Sequence, residues 1–392
     1  MHILQITKYF YPAVSFGGPV QCTYNLSKYL VNRGHKVTVY ATDALDISSN
    51  TRVEGTHHWM GGIEVFYFRN LAKFYGFFVS PGIIQALNEN LDKFDVVHLH
   101  EYRTFQNLAF HHWNMRHIPY VLSCHGEFLY DRQSWSQLLL RKFFEANFGK
   151  GIVRDARKLI ALTEFEQRQY MSGGVEQSKI AVIPNGVALE DFQYFFPSKS
   201  FKELYGIEEK NLVLYLGRIE KDKGVDVLLK AFALLARDRA DVKLVLAGPD
   251  DGFSVVLRKM VRELDLKNKV LFTGSLNRRQ VVAAYNDCSV VVYASHHEGF
   301  PLVPLEAGSA GKPVIVTDIP AMNFVREGRF GLTVKYGNIM QLKEALEIIL
   351  NNPEISEEFG RNGKKFISTH YSWQVIGKKI EDVYYEISDA LN

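Results

Sequence analysis

A chain of 392 residues with 47% hydrophobic content has material for two or three domains, each with its own core. A net charge of +3 is too small to point to nucleic acid, and three scattered cysteines, Cys22, Cys124 and Cys288, form neither a disulfide framework nor a metal cage. No stretch approaches the ~18 consecutive apolar residues of a membrane span, and the strand-like start lacks the apolar core of a signal peptide, so the expectation is a soluble, cytoplasmic protein.

Residues 2–7 read as a buried strand. A loop over 9–19, Y-F-Y-P-A-V-S-F-G-G-P, leads into an amphipathic helix over 20–32, and 36–42 is strand-like again. This order predicts a right-handed parallel unit. Gly17 and Gly18 precede the helix, so backbone can approach a phosphate there. Asp43 ends the second strand, where an acid would hold a ribose in a dinucleotide-binding dehydrogenase. That fingerprint also needs three spaced glycines, and F-G-G-P-V-Q over 16–21 does not supply them.

Residues 62–69 are strand-like. The stretch 66–78 interleaves aromatics with Arg69 and Lys73, which suits a lipid headgroup boundary and a partly buried segment equally. Buried strands over 95–100 and 120–125 end in histidines. His98, His100 and His125 are expected at the same crevice as the Gly-Gly loop, with Glu127 close behind. Residues 134–158 look helical, and over 128–158 seven Lys/Arg stand against three acids. Such a basic, aromatic-bearing helix fits an anionic membrane surface or an ordinary solvated face. A strand over 158–163, a helix through Met171 and a strand over 180–187 ending in an N-G turn complete this half.

Residues 190–205, with Pro197, Ser198 and Ser200, are irregular and mark a domain boundary. Strands over 212–216, 243–247, 270–273, 289–294, 314–317 and 332–334 then alternate with helices over 225–237, 254–264 and 280–287. This predicts a second doubly wound parallel domain. Its first loop, G-R-I-E-K-D-K-G over 217–224, sets Arg218 and Lys223 at a strand's carboxyl end. Two cations there can neutralise a diphosphate, or serve as loop charges beside Glu220 and Asp222. The junction at 295–306, S-H-H-E-G-F-P-L-V-P-L-E, places Glu298 at a strand end. Pro304 is tolerated only in a first helical turn, so the helix begins near Leu302 and carries Glu306. The N–H groups of Gly299, Phe300, Leu302 and Val303 then form an anion site at a positive helix end.

E-G-F-P…L-E-A resembles the E-x7-E element of retaining glycosyltransferases of the GT-B fold, family 4. The Y-P-x-x-G-G loop, G-H-x-V-T-V over 34–39, the strand ending in His125-Gly126, I-P-N-G-V over 183–187 and G-R-x-x-x-x-K-G are similar to the same family, in the same order. Tyr293-Ala294 and Gly308-Ser309 depart from its commoner residues without touching a group tied to chemistry. The resemblance implies an α/β fold of two doubly wound, Rossmann-like domains facing a cleft. Residues 1–190 would bind the acceptor and 191–372 the nucleotide sugar, with a C-terminal helix at 373–392 packing back on the first domain. It implies transfer from a UDP- or GDP-sugar to a hydroxyl of a glycan or lipid-linked glycan, with retention, in surface polysaccharide or glycoconjugate synthesis. His125 would orient the donor sugar. Arg218 and Lys223 would serve the diphosphate, the Gly17-Gly18 loop the diphosphate or the acceptor, Glu298 the sugar hydroxyls and Glu306 the ribose. No Asp-x-Asp stands at a strand end, so no metal and no cofactor are expected. A peripheral place at the inner membrane face fits the basic, aromatic stretches. The weighed alternatives are a sugar-nucleotide epimerase of the same fold, which acts without an acceptor, and a non-catalytic sugar-nucleotide-binding subunit, which should lack the cationic loop or the paired acids.

Overall fold

The structure, a computed structural model, describes residues 1–46, 51–74, 77–114, 117–126, 128, 141–193, 199–250 and 252–389. The chain divides into two compact units, Met1–Gly186 with Trp373–Asn392, and Val187–Ser372. Glu127, residues 134–140 of the expected basic helix, Pro197 and Ser198 lie outside the described residues.

The first unit is built on short apolar runs that only a sheet covered on both faces can bury. Its strands are β1 (His2–Ile6), β2 (Lys36–Thr42), β3 (His57–Met60), β4 (Ile63–Phe68), β5 (Ala72–Phe74), β6 (Phe77–Val79), β7 (Val96–His100), β8 (Tyr120–Ser123), β9 (Lys158–Ala161) and β10 (Ile180–Val182). Eight of them make one sheet in the order β10-β9-β8-β7-β1-β2-β4-β3. All pair in parallel except β3, which closes the edge antiparallel to β4. The order reverses between β7 and β1, and that switch point is where an open α/β sheet leaves a crevice beyond its strand ends.

The second unit repeats the plan more regularly. Strands β11 (Asn211–Leu216), β12 (Val242–Ala247), β13 (Val270–Gly274), β14 (Val290–Tyr293), β15 (Val314–Thr317) and β16 (Gly331–Val334) run in the order β13-β12-β11-β14-β15-β16. Every pairing is parallel. Here the order reverses between β11 and β14. Helices Ile339–Asn351 and Pro353–His370 follow the last strand.

Three expectations change. The boundary falls at Gly186/Val187 rather than inside 190–205. Val187 donates to Tyr371 O at 2.8 Å, and Leu189 and Phe192 pack on the second core, so this stretch is already domain. Among the described residues, the aromatics of 66–78 turn mostly inward: Tyr67 and Phe78 are buried, and Phe66 and Phe68 pack edge-on against Tyr40 at 5.6 and 5.1 Å. Core packing therefore explains that stretch better than a lipid boundary does. Third, the stretch 190–205 carries two short helices, Glu190–Gln193 and Phe201–Tyr205, where irregular chain was expected; the β5–β6 hairpin and edge strand β3 had no alternating signal to announce them.

The helix Trp373–Asp389 belongs to the first unit. Gly377 presses on the Tyr29 ring so closely that a Cβ would lie 2.4 Å from Cδ1. Next along, buried Glu381 accepts from the Tyr29 hydroxyl at 3.1 Å and meets His35 Nε2 at 2.8 Å. Burial works against that carboxylate, but His35, Tyr29 and Arg33 outweigh it and hold its pKa below the usual range.

Candidate active site

At the switch point of the second unit two loops are pinned together. After β11 the chain turns through Gly217 into a 3-10 turn, Lys221–Lys223, and then Gly224. Gly224 has φ +66°, and a Cβ there would lie 2.2 Å from the Ala294 carbonyl. Only glycine lets this turn press on the chain leaving β14. His296 N donates to Asp222 O at 2.9 Å and Ser295 Oγ to the same carbonyl at 3.3 Å. The result is a salt bridge of 2.7 Å between Lys223 Nζ and Glu298 Oε1. Glu220 Oε1 stands 3.3 Å from Arg218 Nη2 and 3.7 Å from Lys223 Nζ. The structure thus brings Arg218, Lys223 and Glu298 into one cluster. Beneath it Tyr215 and Tyr293 stack with centroids 6.3 Å apart. Burial first and then the Glu298 charge push both phenols well above their usual range, so they stay protonated.

The helix Leu302–Ser309 starts where Pro304 requires, with Pro301 as N-cap. Phe300 turns into the core, 5.0 Å from Phe324 between ring centroids. Leu302 and Val303 lie in the first turn, whose N–H groups have no acceptor inside the helix. Glu306 is buried one turn on, and it does not join Arg218 or Lys223. Arg278 Nη1 approaches its Oε1 at 2.5 Å and the Tyr285 hydroxyl donates to Oε2 at 3.0 Å. Arg278 also pairs with Asp191 at 2.7 Å. Burial opposes the Arg278 charge, but Glu306 and Asp191 together raise its pKa.

Arg278→Ala should therefore cost about 2–3 kcal/mol of stability, less than the ~3–5 of a fully buried pair because the guanidinium is 35% exposed. Denaturant melts check this. The double variant Arg278→Ala/Glu306→Gln should recover part of the loss, since it no longer buries an uncompensated carboxylate. A double variant no better than the single one would contradict the pairing.

In the first unit the strand ends at the switch point carry the histidines. His98 and His100 are buried on β7. His98 bridges the Tyr384 hydroxyl at 2.6 Å and Ser123 Oγ at 2.7 Å. His125 follows β8 with φ +52°, and Glu101 follows β7 with φ +59°. Both sit in the left-handed region that non-glycine residues seldom occupy, a strain that concentrates at functional sites. Buried Glu166 receives Gly126 N at 2.9 Å and Leu162 N at 2.7 Å, which fixes the His125-Gly126 turn. Gly17, at φ +81°, caps the helix Gly18–Asn32.

Burial, with a smaller contribution from His125, lowers the His98 pKa from 6.5 to about 3. The unfolded ring takes up a proton near pH 6.5 that the folded ring refuses. This contribution to stability is complete above pH 6.5 and is lost as pH falls toward about 3. We expect the unfolding free energy to drop between pH 7 and pH 5, and to drop less in His98→Asn. Equal slopes in the two proteins would contradict the burial argument.

Two family models match consecutive stretches of the chain: the one described as Glycosyltransferase Family 4 over residues 16–191, and the one described as Glycosyl transferases group 1 over residues 198–366. The chain belongs to glycosyltransferase family 4. It is 25% identical to the uncharacterized glycosyltransferase MJ1607 of Methanocaldococcus jannaschii over 98% of both chains. Over 58% of its length it is 27% identical to the capsular polysaccharide biosynthesis glycosyltransferase CapM of Staphylococcus aureus, covering 61% of that protein. Among solved structures, Anabaena Alr3699/HepE in complex with UDP and glucose matches with a TM-score of 0.79, covering 98% of this chain and 100% of that one at 19% identity. That likeness is one of fold, and the fold is GT-B.

In this family 4 glycosyltransferase the sequence motifs miss the partners that hold the named residues. Arg278 and Tyr285 sit on the helix Arg278–Asp287, far from Glu306 in sequence, and reach it only through the fold. A helix wheel offers a partial signal, since positions 278 and 285 share a face. Gln5 and Tyr384, which hold the first unit's histidines, read as ordinary strand and helix positions.

Proposed function

We propose that this glycosyltransferase moves a sugar from a nucleoside diphosphate sugar to an acceptor hydroxyl with retention at the anomeric carbon. The observation that carries this reading is the 2.7 Å pairing of Lys223 with Glu298 beside Arg218, at the point where the second sheet reverses order. A departing diphosphate brings negative charge, and two cations and a helix N-terminus are set there to receive it. Catalysis is then positioning plus electrostatic stabilisation, with no ion required. The bond from the anomeric carbon to the diphosphate oxygen breaks and a new one forms to the acceptor oxygen, whose proton leaves. Glu298 holds sugar hydroxyls. Glu306, already fixed by Arg278 and Tyr285, has lone pairs left for the ribose.

UDP is the first nucleotide to test, because the structurally similar HepE was solved with UDP and glucose. The acceptor is assigned to the first unit as a glycan or lipid-linked glycan, a reading that the likeness to CapM supports. Phe143 and Phe148 are exposed in a segment that also carries Lys142 and Lys150, chemistry that suits an anionic headgroup layer. Among the described residues no helix is long and apolar enough to cross a membrane. The test is a panel of UDP- and GDP-sugars, scored for a rise in melting temperature and then for transfer, with proton NMR of the product's anomeric signal. A donor that stabilises the protein and yields a retained product supports the reading; an inverted product, or epimerised donor without transfer, refutes it.

A further inference from the structure

One hydrogen-bonded row crosses the switch point of the first unit. It runs from Gln5 on β1, through His100 on β7, to His125 after β8. Gln5 Oε1 is hydrogen-bonded to His100 Nε2. His100 Nδ1 lies 3.1 Å from His125 Nε2. The two rings are nearly parallel, at 17°, with centroids 5.4 Å apart, and His98 stacks on His100 at 4.0 Å.

The roles in this row follow from donor chemistry. With the Gln5 amide turned so that Oε1 faces the ring, His100 Nε2 carries the hydrogen of this bond, since a carbonyl oxygen only accepts. A neutral imidazole has one donor and one acceptor nitrogen, which leaves a lone pair on His100 Nδ1. Burial, and then His98 and His125, hold the His100 pKa well below the usual histidine range, so the ring stays neutral. The bond between the two histidines therefore needs its hydrogen from His125.

We propose that His100, fixed by Gln5, is a positioning residue that locks His125 in the tautomer protonated at Nε2. The lone pair of His125 is then on Nδ1, where it accepts a hydrogen bond or a proton and donates neither. Its backbone is held separately, through Gly126 and the buried Glu166. The consequence for catalysis rests on the reading that His125 acts at the donor sugar; the tautomer does not.

The test is nitrogen NMR of the full-length protein labelled with 15N-histidine, the His125 signals being identified by their loss in His125→Asn. At pH 7.5 the expected spectrum has a protonated, pyrrole-like Nε2 and a bare, pyridine-like Nδ1 for His125. Gln5→Leu should give a mixture of tautomers there and lower kcat about tenfold, the size of one buried hydrogen bond, with little change in KM for the donor. His100→Phe keeps the ring stack while removing the lone pair, and should do the same if Gln5→Leu fails to fold. A bare Nε2 in the wild-type protein overturns the proposal, as does an unchanged His125 tautomer in both variants; a shifted tautomer with unchanged kcat refutes the role of His125 at the donor sugar instead. The expected spectrum in a protein that transfers no sugar from any donor would leave the tautomer standing and refute the functional reading instead.

Discussion

Replacing Lys223 with methionine is expected to lower kcat/KM for sugar transfer by about 10²–10³-fold, the usual loss when one preorganised charge-stabilising group is removed. Methionine keeps most of the apolar stem and deletes the ammonium. In the native protein that group lies 2.7 Å from Glu298 and is only 13% exposed, so water cannot replace it readily. The variant also leaves Glu298 without its cation, so that its carboxylate would repel a diphosphate bound beside it. Lys221 provides the control. It belongs to the same 3-10 turn but is exposed, and Lys221→Met should retain activity within about twofold. Steady-state kinetics on both proteins, with melting curves to show that the fold survives, decide the matter. Equal losses would reduce the effect to general surface charge.

The second large effect is on stability. Gly248→Ala should destabilise the second unit by about 3–5 kcal/mol, combining a strained dihedral with an unrelievable clash. Gly248 has φ +141°, and a Cβ there would lie 1.9 Å from the Gly217 carbonyl oxygen and 2.7 Å from its carbon. Both are backbone atoms, so no side chain can swing away. Gly248 N also donates to Gly274 O at 2.8 Å, which holds three strand ends level. Gly252→Ala separates the two causes: its φ is +88°, but nothing lies within 4 Å of the added carbon. That variant should lose only about 1 kcal/mol. Urea titrations that rank the two equally would contradict the packing argument. Because Arg218 follows Gly217 directly, the Gly248 variant should also lose transfer activity at temperatures where it remains folded.

These two predictions draw on different parts of what the sequence makes legible. The doubly wound architecture could be read because nearly every strand is a short apolar run and every crossover leaves room for a helix. The 298–306 junction could be read because two prolines allow a single helix start. Arg218, Lys223 and Glu298 were recognisable as residues of strand ends. Their meeting depends on strand order, which puts β14 beside β11 although three helices and two strands separate them along the chain. Periodicity carries no such information. The same limit hid Arg278, whose partners Asp191 and Glu306 are distant in sequence, and Gln5, whose amide acts from the middle of an apolar strand. The boundary was displaced for another reason: the irregular composition after 190 covers two short helices, Glu190–Gln193 and Phe201–Tyr205, already inside the second unit, whereas the crossing into that unit is set by the pairing of Val187 with the chain at Tyr371.

The most direct test of the account is calorimetric titration of UDP, and then GDP, into the wild-type protein, Arg218→Ala and Lys223→Met, all in excess chelator. The account predicts binding of one of the two nucleotides to the wild-type protein without any added ion, weakened about tenfold or more in each variant. Binding that appears only when magnesium is restored, or that is equally tight in all three proteins, would contradict it.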